Sequence, residues 1–138
     1  MVFAHPIGIM KLLAMGVVAI LLHELSHMLM AWAHGLKIKR IGLSWMGFYV
    51  VRESGTPQVN FDVSLAGPLG NLVLAAIFGS VAPAFGLANL VMGGFNLLPI
   101  PSSDGDRALR LVREGALLPQ RKPPEPMRML TGTENKSA

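Results

Sequence analysis

A chain of 138 residues and 14.8 kDa has room for one domain. Hydrophobic residues make up 51% and charged residues only 14%, against about 25% charged in ordinary soluble domains, so a soluble surface and a disordered chain both fit poorly and lipid is the expected solvent. Cysteine is absent, which excludes disulfides, thiolate metal sites and cysteine nucleophiles, and the net charge of +4 leaves a nucleic-acid binder to be judged by where the basic residues fall.

The first element runs from Leu12 to Ala33. Its 22 residues would span about 33 Å as a helix, enough for a hydrocarbon core of about 30 Å. Leu12 to Leu22 is free of polar side chains; His23-Glu24-Leu25-Ser26-His27 then interrupts it, and Met28 to Ala33 is apolar again. Ala31-Trp32-Ala33 has the look of a signal-peptide cleavage site, but only Lys11 precedes the run and an acidic residue and two histidines stand before that site, so a retained span is expected.

Leu36 to Val51 alternates partly and ends in aromatic and β-branched residues, which predicts two short strands at the membrane surface, with Gly42 and Gly47 as bulge or bend positions. Ser54 to Pro57 is a turn. A second apolar stretch runs from Val63 to about Ala84, and the Pro83 region turns into a third, Phe85 to Pro101. From Arg107 to Gly115, arginines alternate with apolar residues as in a short amphipathic helix at the headgroups. The expected fold is therefore a membrane all-α protein: a three-span helical core over residues 1–115, with a small membrane-associated β element between spans 1 and 2. Residues 116–138, Pro-rich and polar, are expected to form a disordered cytoplasmic tail.

Three spans place the loop 34–60 and the tail on one face, with every basic residue except Lys11. The positive-inside rule makes that face cytoplasmic in a multi-pass membrane protein. Basic residues that flank spans and form no single stripe speak against nucleic acid as a partner.

His23 to His27 is an H-E-x-x-H motif. Positions i and i+4 lie one turn apart on nearly the same helix face, so two imidazoles can reach one Zn²⁺. Glu24 flanks that face, where it suits a general base that deprotonates a water acidified by the metal. Two surface histidines and a glutamate would be the ordinary alternative, but a charged cluster inside an apolar span is costly without a partner, and a metal is the simplest one. A catalytic zinc takes three protein ligands. Without cysteine, the candidates for the third are His5, His34, Glu53, Asp62, Asp104 and Asp106. Asp104 follows Pro99 and Pro101, which deny a regular helix and leave unwound backbone that is tolerated at membrane depth only around a site or water; its ordinary alternative is an N-cap of the following helix.

These residues resemble the site-2 protease family of intramembrane zinc metalloproteases. The resemblance rests on His23 to His27, on Ala66-Gly67-Pro68-Leu69-Gly70-Asn71, and on Asn96-Leu97-Leu98-Pro99 through Asp104-Gly105, in order and spacing over residues 20–110. It implies one Zn²⁺ per chain on His23, His27 and Asp104, Glu24 as catalytic base, and Asn96, Pro99 and Gly105 in substrate binding, with Asn96 near the substrate strand or developing oxyanion. It implies hydrolysis of peptide bonds within or near transmembrane segments of other membrane proteins, with the 36–52 strands as an edge for an unwound substrate. The chain departs from the family pattern at Ser103, usually leucine, and at Asp106, usually glycine. It has no PDZ or CBS domain, so control is expected from a regulatory membrane partner or a homo-oligomer, and Gly67, Gly70, Gly93 and Gly94 are candidates for close helix packing. The competing readings are a catalytically inactive zinc-binding membrane protein of the same fold and a soluble zinc protease domain.

Overall fold

A computed structural model describes residues 6–44 and 47–118. Helix α1 spans Pro6–Ala33, strands β1 and β2 span Ile38–Ser44 and Gly47–Arg52, and helices α2, α3 and α4 span Pro57–Phe78, Pro83–Leu97 and Asp104–Arg113. His5, Trp45, Met46 and the tail 119–138 lie outside the described residues.

The 28 residues of α1 extend about 42 Å. It stops where Gly35 turns left-handed (φ 73°), with the Gly35 and Leu36 N–H groups donating to the Trp32 and Ala31 carbonyls. That turn delivers the chain into an antiparallel pair in which Ile41 faces Val50 and Gly42 faces Tyr49. The irregularity of the ladder falls between Ile38 and Arg40, not at either glycine.

Thr56 caps α2 by accepting from the Val59 N–H at 3.3 Å, and Pro57 opens the helix where its missing N–H costs nothing. The helix therefore begins six residues before the apolar stretch and ends at Phe78, earlier than the hydropathy suggested. Pro68 sits inside it and has no N–H for the Ser64 carbonyl. Residues 79–82 turn, and Pro83 starts α3, whose 15 residues reach only about 22 Å. Leu98 is then extended, Ser102 takes a positive φ of 75°, and Ser103 caps α4 by accepting from the Asp106 N–H at 3.1 Å.

The burial pattern is inverted relative to a soluble domain. The buried apolar residues are small: Ala19, Ala31, Val63, Ala66 and Ala108. The largest fully buried side chains are Asn71, Asn89 and Pro68, whereas Met10, Leu13, Val17, Leu29, Val73 and Ile77 are exposed, and Trp32 is 76% exposed. Large apolar side chains facing outward over a small, polar interior are what lipid-facing helices need. Helices α1 and α2 are long and apolar enough to cross a bilayer, and little of either is buried against the rest of the molecule. The polar interior is satisfied internally: among the described residues every buried side-chain nitrogen and oxygen has a hydrogen-bond partner.

Candidate metal centre

The site forms where α1, α2 and the start of α4 meet. His23 and His27 project from one face of α1, their rings 4.7 Å apart and nearly perpendicular. The carboxylate of Asp104, the first residue of α4, lies 2.9 Å from His23 Nε2 and 3.1 Å from His27 Nε2 through the same Oδ2 atom, and the two Nε2 atoms are 3.1 Å apart. Of the five candidates among the described residues, Asp104 is the one that reaches the histidines. His34 instead pairs with Asp62 at 3.4 Å, Asp106 pairs with Arg110 at 2.8 Å, and Glu53 lies beside the Lys37 amide. Asp104 is not the N-cap of α4; Ser103 is.

The outer ring nitrogens each carry a proton. His27 Nδ1 faces the Val63 carbonyl at 2.6 Å, and a carbonyl only accepts, so Nδ1 carries the proton. His23 Nδ1 faces Asn71 Oδ1 at 2.7 Å; Asn71 Nδ2 is committed to donating to the Ala19 carbonyl at 3.1 Å, so Oδ1 accepts and His23 Nδ1 donates. With Nδ1 donating outward, each imidazole in its neutral form turns a lone pair inward, toward a carboxylate oxygen. Three such atoms within 3.1 Å of each other need a positive charge among them, a shared proton or a metal ion. The separations also approach the roughly 3.3 Å between neighbouring ligands of a tetrahedral ion with bonds of about 2.0–2.1 Å. Donor set, tautomers and spacing all fit zinc, and a hydrogen-bonded outer nitrogen is the usual support of a zinc-bound histidine.

Two glycines allow this approach. A Cβ on Gly67 of α2 would strike His27 Nε2 and come within 2.8 Å of His23 Cε1. A Cβ on Gly105 would strike the Leu97 carbonyl oxygen, so Gly105 lets α4 start against the end of α3. Gly70 and Gly93 also sit at close approaches, against Ser26 and the Pro68 carbonyl, while Gly94 faces open space.

A cavity of about 60 Å³ opens beside the cluster, lined by Glu24, His27, Asp104, Ser64, Arg52 and Arg107, with Ile38 and Val50 of the strands on its rim. A single water needs about 10–15 Å³ by this measure, so several fit. Arg52 donates from Nη1 to the Glu53 carbonyl and to Asn60 Oδ1, both at 3.0 Å, and Arg107 approaches Asp104 Oδ1 at 3.5 Å. Burial, and after it the like charge of Arg107, lower the Arg52 guanidinium from its usual value, though an arginine remains a cation at neutral pH.

The other residues expected to bind substrate lie elsewhere. Asn96 donates back to the Met92 carbonyl at 3.0 Å and borders a cleft between α1 and α3 with Leu12, Gly16 and Phe95. Pro99 and Gly105 border another, with Phe61, Leu65 and Val112. Sequence reasoning passed over Asn89, Arg52, Arg107 and the Val63 carbonyl. A signal existed for Asn89, an amide in an apolar span; none existed for a backbone carbonyl.

Comparison with known proteins agrees with this geometry. No protein-family model matches the chain. Zinc metalloprotease MJ0392 of Methanocaldococcus jannaschii is 31% identical over 108 residues, covering 69% of this chain and 32% of that protein. MJ0611 of the same organism, provisionally named a zinc metalloprotease, is 30% identical over 146 residues, covering 79% of this chain and 76% of that protein. The solved structure of a site-2 protease from Methanocaldococcus jannaschii superposes with a TM-score of 0.66 at 28% identity, over 76% of this chain and 55% of that one. The chain belongs to the site-2 protease family of zinc metalloproteases, membrane proteins whose cofactor is zinc. It spans about a third of the length of MJ0392.

Proposed function

We infer that this chain hydrolyses peptide bonds within or beside transmembrane segments of other membrane proteins. The observation that carries the reading is the convergence of His23, His27 and Asp104 ligand atoms beside a cavity that admits water and is lined by Glu24. In this reading His23, His27 and Asp104 hold one zinc, which when bound supplies a Lewis acid that polarises the scissile carbonyl and acidifies water. Glu24 takes the proton from the attacking water and returns it to the leaving nitrogen. Arg52 and Arg107, at the cavity wall, favour the negative charge that develops on the carbonyl oxygen. Asn96, Pro99 and Gly105 border neighbouring clefts, so within this reading they meet substrate flanking the cut bond.

The membrane arrangement belongs to the same proposal. Residues 1–115 form a three-span core, with α3 completed by the irregular Leu98 to Pro101 segment, and 116–138 form a cytoplasmic tail. The loop 34–60 lies on the cytoplasmic side with nearly all the basic residues. His23 and His27 stand ten and six residues before the end of α1, about 15 and 9 Å from that side. The β1–β2 edge beside the cavity would receive an unwound substrate strand. A regulatory membrane partner or a second copy of the chain would control access.

The test is cleavage of a model transmembrane substrate in lipid vesicles by wild type and by Glu24→Gln. The reading expects cleavage by wild type and a loss of at least about 10²-fold in the variant. Equal rates would sink the assignment of Glu24. The inactive zinc-binding alternative has the departures at Ser103 and Asp106 in its favour, but Ser103 caps α4 and Asp106 pairs with Arg110, and neither side chain hydrogen-bonds to His23, His27 or the Asp104 carboxylate.

A further inference from the structure

Asn89 lies in the middle of α3, is fully buried, and has no part in the mechanism above. An amide within an apolar membrane helix needs partners, and its two ends find them on different elements. Its Nδ2 donates to the Phe85 carbonyl of its own helix at 2.9 Å. Its Oδ1 accepts from Asn71 Nδ2 of α2 at 2.7 Å. Asn71, also fully buried, donates a second N–H to the Ala19 carbonyl of α1 and accepts from His23 Nδ1 at 2.7 Å.

The directions of these bonds are forced. The Phe85 carbonyl cannot donate, so Asn89 must point its Nδ2 there and its Oδ1 at Asn71. Asn71 must then point Nδ2 at Asn89 and Ala19, which leaves Oδ1 for His23. A carbonyl on α3 thus supports, through two amides, the proton position on an imidazole of α1 that the Ala19 carbonyl also requires. The Ala19 carbonyl takes one Asn71 N–H and Asn89 takes the second, so the amide is anchored at two points with Oδ1 toward His23.

We propose that Asn89 is a positioning residue for the metal centre: through Asn71 it holds His23 in the Nδ1–H tautomer and in the orientation that turns Nε2 toward Asp104 and His27. The inference rests on the zinc site of the proposed function but not on proteolysis. Removing such outer support of a zinc ligand typically weakens metal binding roughly 10–100-fold. An isosteric carboxylic acid, neutral in this interior, would still accept from Asn71 and donate to the Phe85 carbonyl.

The experiment measures zinc affinity, by competition with a chromophoric chelator, and the electronic spectrum of the Co²⁺-loaded protein, for wild type, Asn89→Leu and Asn89→Asp in detergent. Asn89→Leu is expected to bind zinc roughly 10–100-fold more weakly with an altered cobalt spectrum, and Asn89→Asp to restore both. A merely structural role would lower the thermal stability of Asn89→Leu and leave affinity and spectrum unmoved. Should Asn89→Leu fail to fold, Asn89→Ser, too short to reach Asn71, takes its place. Wild-type affinity in the Leu or Ser variant, or equal weakening in the Leu and Asp variants, would overturn the proposal. Wild type that binds zinc but cuts no transmembrane substrate would sink the protease reading alone; wild type that binds no zinc would sink both.

Discussion

At the scale of single residues, the site depends on two outer protons being fixed and on one separation of the inner atoms. Val63 and Asn71 take the outer protons of His27 and His23, and Gly67 leaves the space into which both rings project. Gly67→Ala should therefore push both imidazoles aside and weaken zinc binding by at least about tenfold, the scale of losing a ligand's support; chelator competition would measure it, and unchanged affinity would remove Gly67 from the account. The two histidines and Glu24 were legible in the sequence because a four-residue spacing on a helix is itself geometry. Asp104 stood out among six candidates through the unwound Pro99–Pro101 backbone before it and then through the family resemblance, not through spacing, because 77 residues separate it from His27 and spacing carries no information over that distance. The amides behind the site, Asn71 and Asn89, were visible as polar residues in apolar spans, but their contacts were not legible, since nothing in a single chain tells which polar residue of one span meets which of another.

The elements show where pattern and caps compete. Hydropathy placed the second span at Val63, but Thr56 and Pro57 start the helix earlier, because caps act on backbone N–H groups regardless of what the side chains bury. The strands were legible from alternation, although the ladder's irregularity lies at Lys39 and not at a glycine. The least regular stretch, Leu98 to Ser103, does the most positioning: it leaves α3, turns through the positive φ of Ser102, and sets Asp104 at the start of a capped helix. Ser103 accepts from the Asp106 N–H and donates to the Leu98 carbonyl at 2.6 Å. Ser103→Ala should cost about 1 kcal/mol of stability through the lost cap, read from thermal unfolding in detergent, and should lower zinc affinity as Asp104 loosens; a variant as stable as wild type would show that the cap is idle. The acidic first turn and basic last turn of α4 complement its dipole, but the exposed Arg110–Asp106 pair adds little.

At the scale of the whole molecule, composition and fold say the same thing from opposite directions. A chain with 14% charge folds with its large apolar side chains outward and its amides inward, an arrangement that is stable only where the surroundings are themselves apolar. Topology can be tested directly because the chain has no cysteine. In a proteoliposome or inverted-vesicle assay, Ser54→Cys in the loop after β2 should react with an impermeant thiol reagent from the cytoplasmic side, and Ser80→Cys in the α2–α3 turn from the opposite side. Labelling of both from one side would contradict the three-span arrangement. Everything else in the account rests on three atoms from two helices acting as one metal site. The zinc content of purified protein tests that most directly: about one zinc per chain in wild type, and loss of that zinc in His23→Ala, His27→Ala and Asp104→Asn alike. Zinc retained in the Asp104 variant at wild-type affinity, or no zinc in wild type, would contradict it.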